Sequence, residues 1–430
     1  AATIDAVLNG NVLSNDTDPG GYNLTVTTTP VTAPVNGILS LSANGDFTYT
    51  PNAGYTGADS FTYEVCNDAS TPQCSQATVN IMVMEPVSCD RNFYFAFNDP
   101  SDLNILNTSA EPYTFNLIRD DTDYYNAIGL NPVDGYIYGI SLETGSEGHI
   151  IKIDANGLRY DLGLPVGMPA EPSFYAGAFD RNGTYYVFQS QSTVSVPANP
   201  EAKLLQIDVT TTPPTINSMT NYGTAHQISD IAINPKDGNI YGYEQMLESR
   251  LAYIEPANPA TINFFGPSRP TGVRAGSVFF DEFGDFYVYA NDTLAASTDQ
   301  TYFYKIDVGI NGSGDGYFQE LGTGPVTAQT DGCRCGFGVD IKTTVSVDTT
   351  ALNSIVTYTY SIINQSASAV TMDFIDNQIE GRTFVAGTLS NPFGGTVNAY
   401  AGTGTLDING LTVPAGAQNN ITIQVYIPND

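Results

Sequence analysis

The sequence predicts an all-β chain in which a five-bladed β-propeller stands between two β-sandwiches. Three observations predict it. First, a hairpin pattern recurs: YYNAIGLNPVDGYIYG at 124–139, AGAFDRNGTYYVF at 176–188, ISDIAINPKDGNIYG at 228–242 and GSVFFDEFGDFYVY at 276–289. Each copy is an apolar strand, a turn rich in Asp, Asn and Gly, and an aromatic strand. The turn glycines Gly135, Gly183, Gly238 and Gly284 lie 48, 55 and 46 residues apart. Second, each hairpin is followed by a strand ending in an acid: HIIKID (149–154), KLLQID (203–208), RLAYIE (250–255) and YFYKID (302–307). Asp154, Asp208, Glu255 and Asp307 are spaced 54, 47 and 52 apart, so a second marker keeps the same period. Third, no stretch holds helical periodicity. A repeat of this length with only strand signals inside it is the mark of propeller blades.

A fourth strand completes each unit: LRYDLGL (158–164), TINSMT (215–220), TINFFG (261–266) and YFQELG (317–322). Ahead of the first full copy stand FYFAFND (93–99), LNILNT (103–108) and YTFNLI (113–118), a unit that lacks its first strand. After the last copy stands GCRCGFGVDI (332–341), a strand without a unit. The expectation is that the late strand completes the early unit, so that four full blades and one shared blade close a ring. Closure removes exposed sheet edges.

At 430 residues the chain has room for several domains. It carries 45 acids against 14 Lys plus Arg, a net charge of −31. That balance excludes phosphate neutralisation, and with it nucleic acid and anionic membrane surfaces as partners. No apolar run is long enough for a membrane-spanning helix. The chain starts at AATIDAV with no signal-peptide pattern.

Of the five cysteines, Cys66 and Cys74 bracket a short loop between two strands and predict a disulfide. Cys89 stands at the entrance of the propeller, and Cys333 and Cys335 at its exit. Cys89–Cys333 or Cys89–Cys335 would staple the ring, and one cysteine is left over. If the exit strand keeps the register of the other blades, Cys89 falls beside residues near Asp340 rather than Cys335. Disulfide use points to an oxidising, extracellular compartment.

Residues 1–87 form the first domain. The stretches NVLSNDTDPGGYNLTV (11–26), NGILSLSANGDFTYTPNAGYTGADSFTYEV (36–65) and ATVNIMVM (77–84) read as about seven short strands of an antiparallel sandwich. They resemble the tandem-ninety-five, cadherin-like repeats of bacterial surface proteins over nearly the whole domain. The resemblance implies calcium at the acidic loop, where Asn15, Asp16 and Asp18 match. Gly20 and Tyr22 replace two aspartates of the family pattern, and an Asx-type turn on Asp16 and Asp18 explains the same residues.

Residues 88–340 form the propeller, which resembles secreted bacterial propellers of unknown function. Its repeated acids read as turn caps. The loop DVGINGSGDG (307–316) offers Asp307, Asn311 and Asp315 as calcium oxygens, although an EF-hand would need an acid where Gly322 stands. The RDDTD loop (119–123) is a second oxygen-rich segment. Tyr124, Tyr125, Tyr136 and Tyr175 are placed at blade rims, where they could stack on sugars.

Residues 341–430 form the third domain. TYTYSIINQS, DFIDNQIEGRTFVAGTLS and INGLTVPAGAQNNITIQVYIP resemble the bacterial conserved-repeat domain (domain of unknown function eleven). That resemblance implies an immunoglobulin-like sandwich of the kind arrayed in surface stalks. Both terminal sandwiches read as clipped. The chain is therefore either part of a longer polypeptide or a subunit that completes its neighbours by strand addition.

No catalytic pattern stands out. His149 and His226 have no metal-spaced partner and no nucleophile motif beside them. The expected function is a non-catalytic structural or adhesive component of a bacterial surface appendage or filament, secreted to the cell surface. Its expected partners are copies of itself or further domains of a longer surface protein, with calcium as the one conceivable cofactor. The alternative is a polysaccharide-binding lectin, or a glycan-active propeller enzyme acting on extracellular glycans, with the sandwiches as spacers. Acids and aromatics open to the propeller axis would favour the alternative, and a plugged axis the first reading.

Overall fold

The computed structural model describes residues 1–87, 89, 92–97, 101–120, 124–169, 174–190, 201–223, 226–245, 250–268, 273–292, 301–327, 330–346, 354–366, 368–378 and 382–428. Among them every regular element is a β-strand. No helix is long and apolar enough to cross a membrane.

The N-terminal sandwich pairs two sheets. One runs Ala2–Thr3, Cys74–Met84, Gly57–Asn67, Leu24–Val26, and the other Leu8–Asn11, Asp46–Pro51, Gly37–Leu41. Strict alternation builds the core. In Asp46–Pro51 every second side chain is buried, which sends Phe47 and Tyr49 inward. Phe47 meets Phe61 edge to face, 5.3 Å between ring centres. Asp59 is buried among them and fully paired. It accepts hydrogen bonds from Tyr49 Oη (2.8 Å) and from the amides of Val35, Asn36 and Ser60.

Five four-stranded sheets follow. The second runs Tyr125–Leu130, Ile137–Ser141, Ile150–Ile153, Arg159–Gly163, and the third Phe174–Phe179, Tyr185–Ser190, Lys203–Asp208, Thr215–Asn221. The fourth runs Ile228–Ile233, Ile240–Glu244, Arg250–Ile254, Ile262–Phe265, and the fifth Val273–Phe280, Phe286–Asp292, Thr301–Ile306, Phe318–Gly324. In the first sheet Tyr94–Phe97, Asp102–Asn107 and Thr114–Arg119 are joined by Asp331–Cys333, which pairs antiparallel to Tyr94–Phe97. The leading strands pack on one another in the order second, third, fourth, fifth, first, second. The array is propeller-like.

The expected exit strand 332–341 is broken in two. Asp331–Cys333 joins the first sheet, whereas Val339–Val345 pairs with Ser354–Asn364 and opens the C-terminal sandwich. That sandwich has the sheets Val339–Val345, Ser354–Asn364, Gln418–Ile427, Thr383–Phe384 and Val370–Asn377, Thr405–Val413, Thr396–Ala399. Its core holds Tyr360, Phe374, Leu406, Ile408, Ile421 and Ile423. Thr396–Ala399 is a strand that the sequence reading missed.

The chain forms two compact units. One comprises Ala1–Ser88 with Gly135–Ile137 and Ile151–Leu162, and the other comprises the remaining residues, including the C-terminal sandwich.

Candidate functional site

The repeated acids are local architecture. At the first turn position of each hairpin, Asn131, Asp180, Asn234 and Asp281 accept the amide two residues on, at 3.0, 2.9, 3.0 and 3.0 Å. The glycines that follow, Gly135, Gly183, Gly238 and Gly284, have φ of 73, 83, 74 and 74°. The repeat is thus an Asx turn closed by a left-handed residue. The strand-end acids do the same work. Asp154 caps the amides of Asn156 and Leu158, Asp208 that of Thr210, and Asp307 that of Gly309.

Two acids fall outside this pattern. Asp230 and Asp331 are both completely buried. They sit on the leading strands of the fourth and first sheets, which are not neighbours in the packing order, and each carboxyl acts electrostatically on the other. Asp331 Oδ1 is buried without a hydrogen-bond partner, and the other three carboxyl oxygens meet backbone. Asp230 accepts the amides of Ile231 and Val278, both at 2.7 Å, and Asp331 accepts that of Ile128. Tyr185, from the third sheet, donates its hydroxyl to the carbonyl of Ala127 beside them. Every one of the five sheets therefore supplies a group to one axial cluster. Burial pushes both carboxyls well above the ordinary aspartate range, and on Asp230 the charge of Asp331 adds to it.

Next to this cluster, among the described residues, little free space is left between the leading strands. The cavity lined by Leu130, Phe179, Ile233, Phe280, Cys333 and Phe337 measures about 30 Å³, room for a water or two. A paired-acid glycosidase needs an open cleft between its carboxyls. Here the acids are sealed and bonded to main chain.

Beyond Cys333 a second cluster follows. Arg334 pairs with Glu282 at 3.2 Å, the two side chains 7% and 1% exposed. The guanidinium lies 4.6 Å from the Phe93 ring centre. Burial raises Glu282 to about 7 against the opposing pull of Arg334. Cys335 is joined to Cys89, and Cys66 to Cys74. Cys333 is buried and takes part in neither disulfide. The register expectation that set Cys89 beside Asp340 fails, because the strand ends at Cys333 and the chain turns there.

The calcium candidates are spent on turns. Asp18 accepts the amides of Gly20 and Tyr22 with Oδ1 and the amide nitrogen of Asn67 with Oδ2. Those bonds, the one from Asn67 foremost, hold its carboxyl below the usual range. Asp16 accepts the hydroxyl of Tyr63, and Asn15 is exposed. Asn311 turns its Oδ1 to Asn239 at 2.8 Å, and Asp315 caps Tyr317. Among the described residues, three potential ligand atoms converge only at Glu64, Cys66 and Cys74. Those sulfurs are bonded to each other.

The rim tyrosines are corrected too. Tyr125 and Tyr136 are buried and Tyr124 half-buried, so none presents a ring face, while the side chain of Tyr175 lies outside the described residues. In the RDDTD loop only Arg119 and Asp120 are described. His226 is half-buried between Tyr222 and Phe264 rather than standing at the surface.

What the sequence did not reveal is a groove on the fifth sheet. Two adjoining cavities of about 400 and 430 Å³ share Asp285, Lys305 and Gln319. Lys305 and Lys342 both reach Asp285, at 2.5 and 3.5 Å. Tyr317, 68% exposed, forms part of the wall. Its size is that of a ligand site. The sequence marked only one wall of it, the oxygen-rich loop 307–316, because the rest is brought together from the fourth and fifth sheets and the start of the C-terminal sandwich.

Comparison with known proteins bears on the fold. Residues 94–337 match a repeat of unknown function (DUF6923), and residues 1–82 match a bacterial Ig domain. None of the curated proteins matches. Among solved structures, TolB from Acinetobacter baumannii aligns at 12% identity and TM-score 0.38, over 80% of this chain and 78% of that one. A protein of unknown function from Bacteroides thetaiotaomicron aligns at 12% and 0.36, over 79% and 92%. Prolyl oligopeptidase B from Galerina marginata aligns at 9% and 0.30, over 77% and 47%. Likenesses at this level carry no functional argument.

Proposed function

We propose that this chain, which belongs to the DUF6923 repeat family, is a non-catalytic body displayed outside a bacterial cell, with its five sheets closed into a five-bladed ring between two stalk-type sandwiches. The observation that carries the reading is the sealing of the axial acids. The acids that an axial enzyme site would use are buried, bonded to main chain and beside a cavity of about 30 Å³. The bacterial Ig match and the two disulfides support an extracellular or surface location. The partners are further copies of the chain or further domains of a longer surface protein. The test is electron microscopy and size-exclusion chromatography of native material with and without EDTA. Regular filaments, or beads within a longer polypeptide, fit the reading. Turnover of a glycan or peptide substrate that maps to the chain, whether or not Asp230→Asn abolishes it, would overturn it.

A second reading has the fifth-sheet groove in its favour. Tyr317 offers an exposed ring, and Lys305, Asp285 and Gln319 offer donors and acceptors beside it, which is the chemistry of a saccharide subsite. A glycan array would support it through binding lost in Tyr317→Ala, and binding to no glycan would remove it.

A further inference from the structure

The groove on the fifth sheet is built around one cross-strand row. Tyr287 stands opposite Lys305, and Lys305 opposite Gln319, so the three side chains share one face of the sheet. Asp285 joins the row through its pair with Lys305. One cavity is walled by the loop 307–316 and Tyr317. The other is walled by Asp340, Ile341 and Lys342 at the start of the C-terminal sandwich.

The walls are held by their own bonds. Asn311 donates its amide to Asp237 at 2.9 Å and Gly312 donates its amide to the Tyr241 hydroxyl at 3.1 Å, which pins the loop to the fourth sheet. The loop closes on itself, with the amide of Gly316 donating to the carbonyl of Asp307 at 2.9 Å. Asp315 caps the amide of Tyr317 at 2.8 Å. In the other cavity Asp281 accepts the amides of Phe283 and Asp285 and the hydroxyl of Tyr287. A site fixed in this way loses little freedom when a ligand arrives.

The donor set decides the ligand. Three of the chain's five lysines and five of its aspartates line the two cavities. Lysines donate and carboxylates accept, so a ligand dense in hydroxyls, each of them donor and acceptor, satisfies both. A carboxylated or sulfated ligand meets a surplus of like charge, on a chain of net charge −31. Asp285, Lys305 and Gln319 line both cavities, so a ligand running from Tyr317 to Lys342 passes over all three.

We propose that one neutral oligosaccharide lies across both cavities and bridges the fifth sheet to the C-terminal sandwich, an inference that rests on the saccharide reading of the groove. Asp285, Lys305 and Gln319 hold its middle, Tyr317 stacks on the sugar at one end, and Lys342 donates at the other. A ligand too short to leave the Tyr317 cavity never reaches the sandwich.

The experiment is calorimetric titration of the full chain with neutral glucose, mannose, xylose and N-acetylglucosamine oligomers, from dimer to hexamer. Galacturonate and mannuronate hexamers are the acidic counterparts and should not bind. In at least one neutral series affinity is expected to rise about tenfold or more between dimer and tetramer and then level off. Tyr317→Ala should lower affinity about tenfold at every length. Lys342→Ala should lower the tetramer's affinity several-fold and leave the dimer's unchanged. Both side chains are exposed, so neither change threatens the fold. Affinity that does not rise beyond the dimer, or a tetramer indifferent to Lys342→Ala, would overturn the bridge and leave the saccharide reading in place. Stronger binding of the acidic hexamers would overturn the neutral ligand. No binding in any series would remove both.

Discussion

Arg181 donates from Nη2 to Oε1 of Gln365 at 2.8 Å, linking the third-sheet hairpin to the loop after the longest strand of the C-terminal sandwich. The same nitrogen reaches the carbonyl of Pro235, and Gln365 in turn donates to the carbonyls of Glu282 and Gly338. One buried glutamine thus bonds the third sheet, the fifth sheet and the connecting segment. The C-terminal sandwich is docked on the array.

Gln365→Ala should weaken this docking. The change removes the bonds from Arg181 and to Glu282, while the half-buried Arg181 keeps that to Pro235, a loss of about 1–2 kcal/mol. Calorimetry should show the unfolding of the C-terminal sandwich separating from that of the sheets, with Gln365→Glu restoring part of the coupling through charge.

Gly177→Ala should be among the most damaging single changes. A Cβ there would stand 2.1 Å from the carbonyl oxygen of Ala127, so the leading strands of the second and third sheets approach only because residue 177 has no side chain. Relief must come from backbone, and the cost is of the order of 3 kcal/mol or more. The urea midpoint measures it. Gly238→Ala, with nothing within 4 Å, is the control for the cost of a left-handed turn alone.

Stability should fall as pH rises through neutrality. Burial raises Glu282 to about 7, so the folded chain holds a proton that the unfolded chain releases near pH 4–5. Stability is therefore fullest below the unfolded value and declines as pH climbs through the folded one. Tm between about pH 5 and 8 should drop, and Glu282→Gln should flatten part of the drop.

The N-terminal sandwich should be indifferent to calcium. Asp18→Ala removes two turn caps and the bond from Asn67 and should lower Tm equally in calcium and in EDTA. A calcium-dependent difference in Tm that disappears in this variant would restore the metal reading.

Removing the Cys89–Cys335 bond should cost more than removing Cys66–Cys74. Their separations of 246 and 8 residues correspond to about 5 and 2–3 kcal/mol of loop-closure entropy. Guanidinium unfolding of Cys335→Ser and Cys74→Ser compares them directly.

Local chemistry was legible in the sequence because it is written in neighbouring residues. The Asx–Gly hairpins, the strand-end acids and the alternation of Asp46–Pro51 each show themselves within a few positions, and period alone carried them to a repeated four-stranded unit. The Cys66–Cys74 bond was readable for the same reason. What only the tertiary structure decided depends on which distant groups share one dry space. Asp230 and Asp331 look in sequence like two more turn acids in a chain of 45. Burial at the axis, and not residue type, sets them apart from the turn acids and raises their carboxyls. Burial likewise withdrew Tyr125 and Tyr136 from any ligand. The groove at Asp285, Lys305 and Tyr317 exists because strands remote in sequence set their side chains edge to edge, and no local pattern encodes that distance.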